Sequence, residues 1–87
     1  MSVYMVERNL KGISMEDLGG AQKAAIGKAR EMSAAGTEVR YIRSTFAPHD
    51  GRCMCLFEAE SESAVKRLND DAGLPYDRVV EALDLTP

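Results

Sequence analysis

Residues Val3 to Arg8 alternate in character, with Val3, Met5 and Glu7 on one side of an extended chain and Tyr4, Val6 and Arg8 on the other. This period of two predicts a first strand. Beyond Gly12 the period lengthens: Met15, Leu18, Ala21, Ala25, Ala29 and Met32 recur at helical spacing. Ser14 is a good N-cap with an acid, Asp17, three residues on, and Gly36 closes the run as a left-handed cap. Because three of those six positions are alanine, the apolar face of this helix is thin. Gly19, Gly20 and Gly27 lie inside it without GxGxxG spacing, so close packing of the helix backbone on a sheet is the expected reason for them.

Thr37 to Ala47 reads as a second strand, with Val39 and Tyr41 opposite Ile42, Ser44 and Phe46. The turn Pro48-His49-Asp50-Gly51 leads into a third strand from Arg52 to Ala59 and makes a hairpin. Ser61 caps a second helix carrying Ala64, Val65, Leu68 and Ala72, stopped by Gly73 with Pro75 beyond, and Arg78 to Leu85 forms the fourth strand. This order predicts an α+β fold of the ferredoxin-like βαββαβ type, occupying residues 1–87 as one domain. Its antiparallel four-stranded sheet has the order 4-1-3-2, with both helices on one face.

Helices on one side should leave the strands polar on the other, yet these strands are apolar on both. Met54 and Leu56 oppose Cys53, Cys55 and Phe57, while Val3 and Met5 oppose Tyr4 and Val6. A sheet-to-sheet homodimer, a dimeric α/β barrel, is the expected cover. Which face meets the partner is left open by the pattern.

Charge narrows the partners. A formal net charge of -3 gives no general attraction for nucleic acid or an anionic membrane. No apolar run is long enough to span a bilayer, and Met1-Ser2-Val3 runs into strand-like sequence without a signal-peptide pattern. Cys53 and Cys55 alternate along one strand with thiols expected about 7 Å apart. A disulfide between them would be strained, so reduced thiols and a cytoplasmic setting are expected.

Two constellations carry candidate chemistry. His49, Asp50, Cys53 and Cys55 offer imidazole, carboxylate and thiolate, a donor set suited to nickel or zinc. The plainer alternative makes His49 an exposed turn residue and the cysteines small buried strand residues. The second constellation follows from pairing the first and third strands as parallel neighbours. That pairing places Glu7, Arg8 and Glu58 side by side, with Arg40, Tyr41, Asp77 and Arg78 at the same edge. Such a group would hold a small ligand or metal, or form an ion-pair network.

The stretches Val6-Glu7-Arg8-Asn9-Leu10, Arg43-Ser44, Cys55-Leu56-Phe57-Glu58-Ala59 and Ala72-Gly73-Leu74-Pro75 together resemble a family of small bacterial domains labelled nickel-binding-protein-like. The resemblance covers nearly the whole chain. It implies a dimeric ferredoxin-like fold that binds a divalent metal, carried over onto Glu7, Arg8, Ser44, Cys55 and Glu58; for a small ligand the candidate residues are Glu7, Arg8, Arg43, Ser44 and Glu58. Relatives often carry a histidine near the end of the second helix, where Leu68 stands here. His49 is the one histidine that could compensate.

Two other trades of this fold are rivals. A cofactor-free monooxygenase or isomerase of the dimeric α/β-barrel type would rely on Tyr4, Tyr41 and carboxylates, since the chain has no Trp and a single His. A non-catalytic interaction module is the third reading. An RNA-recognition surface is poorly served, because the third strand offers only Phe57 for base stacking.

Overall fold

The computed structural model describes residues 1–87. Its elements run β1 (Ser2–Asn9), α1 (Met15–Ala34), β2 (Val39–Ala47), β3 (Arg52–Ala59), α2 (Glu62–Asp71) and β4 (Arg78–Ala82). The sheet order β2-β3-β1-β4 is the expected 4-1-3-2 order read from the other edge. Both helices join the strands in one core cluster that includes Tyr4, Val6, Ala25, Met32, Phe57 and Leu68. Helix boundaries follow the caps. Ser14 Oγ accepts the Asp17 backbone N–H at 3.0 Å, Ser61 Oγ accepts that of Ala64 at 3.2 Å, and Gly36 and Gly73 take positive φ after each helix.

Strand direction differs from the expectation. β1 pairs with β3 antiparallel, Val3 opposite Glu58 and Glu7 opposite Met54. In a split βαβ unit the crossover makes β1 and β2 point the same way, and β3, inserted between them by a hairpin, must run against both. Glu7 and Glu58 therefore share a face but stand four residues apart along it, about 13 Å.

β2 carries a second departure. Tyr41 pairs with Phe57 but Arg43 pairs with Leu56, so Ile42 is an extra residue and the strand bulges. Tyr41, Ser44 and Phe46 consequently share the helix side of the sheet, where strict alternation had put Tyr41 opposite the other two.

The alternating burial of β1 and β3 sorts the two faces. Tyr4, Val6, Arg8, Cys53, Cys55, Phe57 and Ala59 are buried under the helices, and Val3, Met5, Met54 and Leu56 are half-buried on the open side. Across that open side Val80, Met5 and Leu56 form an apolar rung. Ion pairs flank it: Glu7 with Arg78, Arg40 with Glu58 at 3.4 Å, and Arg43 with Asp84 at 3.1 Å.

The helical glycines do not do what was expected of them. A methyl group at Gly19, Gly20 or Gly27 would meet nothing within 4 Å, so none of them marks close backbone packing. Met15, the first residue of the expected stripe, is also exposed. Gly27→Ala and Gly20→Ala are each expected to raise stability by about 0.5–1 kcal/mol in urea denaturation, because alanine removes the entropic penalty of an unneeded helical glycine. A loss of stability in both would show a backbone requirement that the open space does not suggest.

Candidate functional site

The site begins with small residues on both sides of one interface. Ala21 and Ala25 of α1 stand over the Cys53 and Cys55 side of the sheet, and none of these fills the space a leucine layer would. What remains is a cavity of about 150 Å³ between α1 and the sheet. Leu10, Leu18 and Leu74 close its apolar walls, and Arg8, Gln22, Tyr41 and Ser44 supply its polar positions.

The polar positions are linked. Gln22 Nε2 donates to Tyr41 Oη at 3.0 Å, and Tyr41 Oη meets Ser44 Oγ at 2.6 Å. Ser44 Oγ donates to Cys55 Sγ at 2.9 Å, which leaves the tyrosine as the donor to the serine. The donors thus point one way along the chain, an arrangement in which each bond strengthens the next. The β2 bulge is what makes it possible, by setting Tyr41 and Ser44 three residues apart on one face. The edge-on contact of Tyr41 with Phe57, ring centres 5.5 Å apart, holds the phenol in place.

The thiols sit closer than strand geometry suggested, with Cys53 and Cys55 sulfurs 3.9 Å apart rather than about 7 Å, because the side chains lean together beneath the helix. Both are free and buried. Burial, with the neighbouring Cys55 adding to it, pushes the Cys53 thiol up to about 11, against a smaller downward pull from Arg8. Cys53 is therefore protonated at neutral pH. At pH 8 only about a thousandth of it would be thiolate, so iodoacetamide should label Cys53 in the folded protein at least a hundredfold more slowly than in urea. Fast labelling of Cys53 under native conditions would show that the site opens.

Arg8 is the one charged side chain in the cavity wall, and it is 6% exposed. Nη1 donates to the Pro75 carbonyl at 3.2 Å, tying β1 to the loop before β4. No carboxylate forms an ion pair with it.

The expected site residues divide accordingly. Arg8, Ser44, Cys53 and Cys55 come together in the cavity. Glu7, Glu58 and Arg43 lie on the open face of the sheet, where each is already paired with an oppositely charged partner, and the expected cluster of Glu7 with Glu58 does not form. His49 and Asp50 are exposed in the β2–β3 turn, apart from the buried thiols. Nowhere do three His, Cys, Asp or Glu side chains gather so as to hold a metal ion. Gln22 escaped the sequence reading, and Leu18 was read only as part of the helix stripe. Gln22 stands four residues after Leu18 and three before Ala25, so a polar residue bordering the apolar stripe was the available signal.

Residues 4–82 match the family described as nickel responsive protein SCO4226-like. The chain belongs to that family. Among solved structures it is similar to the crystal structure of SCO4226 from Streptomyces coelicolor A3(2), with a TM-score of 0.82 and 23% identity over 98% of this chain and 100% of that one. That likeness fixes the ferredoxin-like architecture. No curated protein sequence matches the chain. The family description directs attention to nickel, and the donors can be tested against it. Two buried thiols, one of them protonated at neutral pH and beside a guanidinium, are half of a four-donor site at most, so one chain alone does not fit the ion. No helix is long and apolar enough to cross a membrane.

Proposed function

We propose that this protein is a homodimeric small-ligand-binding protein of a reducing, cytoplasmic setting, and that the ligand occupies the cavity between α1 and the sheet. The cavity itself carries the reading: an apolar pocket with a few convergent polar groups is the usual form of a small-molecule site. Binding is favoured over acid-base catalysis because the lining contains no carboxylate and no imidazole to move a proton.

The dimer is supported by the open face of the sheet, where the Val80, Met5 and Leu56 rung is bordered by ion pairs, an apolar centre with a polar rim. The expected mass by light scattering is twice the 9.5 kDa of one chain. Leu56→Glu should return it to that of a monomer; a monomeric unmodified protein would end the dimer proposal.

Ligand binding is tested with neutral and anionic single-ring compounds in amide correlation spectra. Shifts confined to Leu18, Gln22, Phe46 and their neighbours are expected, and Ala21→Leu, which fills the space, should abolish them. An unresponsive spectrum across the panel would overturn the reading.

Nickel is the second reading, favoured by the family description and the close thiol pair. Since one chain supplies too few donors, the ion would need groups from a second copy. Calorimetric titration of the reduced, tag-free protein with nickel, repeated on Cys55→Ser and His49→Ala, decides it. A flat titration of the unmodified protein removes nickel.

A further inference from the structure

Arg8 poses a problem that the fold does not solve. A guanidinium carries five N–H donors and a permanent charge, and taking it out of water is costly unless an anion meets it. Here it is only 6% exposed, and the Pro75 carbonyl is its only oxygen acceptor. The Cys53 thiol beside it is neutral at ordinary pH and offers no countercharge. A partner docked on the open side of the sheet cannot offer one either, because Arg8 faces the helices. The lining holds no other charge of either sign.

We infer that Arg8 makes this cavity a site for a small monocarboxylate with a compact apolar body. The assignment rests on the ligand-binding reading and narrows it. One fixed positive charge with a planar donor fork matches one carboxylate, whereas a phosphate dianion would call for further cations. The remaining walls are the apolar side chains Leu10, Leu18, Phe46 and Leu74, which suit a hydrocarbon body. Size fits as well: a cavity of about 150 Å³ accepts a benzene-sized ring in another protein, so a single ring or short branched chain is the scale to expect. Gln22 keeps one amide N–H and its carbonyl outside the chain of hydrogen bonds, so it can meet a second polar atom on the same ligand.

The probes are benzoate, its neutral counterpart benzamide, and inorganic phosphate, each titrated into the full reduced chain and followed by amide and Arg8 Nε–H signals. Benzoate should bind at least tenfold more tightly than benzamide and shift the Arg8 signal. Arg8→Gln should erase that preference, with benzoate binding no more tightly than benzamide, and Arg8→Lys should restore part of it. Equal binding of benzoate and benzamide to the unmodified protein, a comparison that needs no variant, would overturn the carboxylate assignment while leaving the ligand cavity standing. Phosphate competing as well as benzoate would overturn it too. If neither benzoate nor benzamide binds, the cavity reading itself falls.

Discussion

Phe57→Ala is expected to lose about 3–5 kcal/mol of stability, the usual cost of removing a fully enclosed aromatic ring. Phe57 is completely buried at the centre of β3, and its ring meets Tyr41 edge-on. A chain of 87 residues has about 4–13 kcal/mol in total at typical values per residue, so the substitution should leave a large unfolded population. Urea denaturation followed by circular dichroism provides the measurement, with Phe57→Leu as the graded variant at about 1–2 kcal/mol. The functional consequence lies at Tyr41. Without its neighbour the phenol loses its lateral support, and the hydrogen bonds from Gln22 to Ser44 should loosen even where the fold survives. A cost below about 1 kcal/mol for Phe57→Ala would mean that the core is far less tightly packed than its burial implies.

Gly51→Ala should be nearly as severe, about 2–4 kcal/mol. Gly51 is buried at φ +79°, where any side chain is strained, and a Cβ there would land on the backbone of Lys11. Its carbonyl accepts the Leu10 N–H at 2.7 Å, and its own N–H bonds to the Ala47 carbonyl at 2.8 Å. Relief would therefore have to part the β2–β3 turn from the chain leaving β1, which carries Leu10 into the cavity wall. Loss of ligand binding should accompany the loss of stability. Equilibrium unfolding and the benzoate titration, run on the same variant, check both; an alanine tolerated without cost would show that the two segments do not press together.

Much of the architecture was legible because each element announced its own ends. Ser14 and Ser61 read as caps, Gly36 and Gly73 as stops, and the β3 range could be read to the residue, since caps and alternation are local properties. Pairing is not local. The direction of β1 against β3 depends on how the helices return the chain, and placing Glu7 beside Glu58 failed at that step. The cavity was harder still. Thin alanine packing on α1 was visible, but a void depends on what stands across from it, and Ser44 and Tyr41 meet only because one residue of β2 goes unpaired. Arg8 and the two thiols were candidates from the sequence; their gathering around one space required the third dimension.

The extra residue at Ile42 works as a phase shift in the strand's alternation. Were Ile42 paired in regular alternation instead of passed over, with the register kept downstream, Tyr41 and everything upstream would exchange their inward and outward places. Were the register instead kept upstream, Arg43 would stand opposite Cys55 in place of Ser44. A second guanidinium would then enter a cavity that has one, and Asp84 would lose its partner on the open face. Pairing at this single position is thus coupled to the cavity's charge: a strand of the same length without the bulge would need a different residue at the place of Arg43, or a ligand carrying two negative charges, whereas loss of Ile42 itself would leave every side chain on its present face.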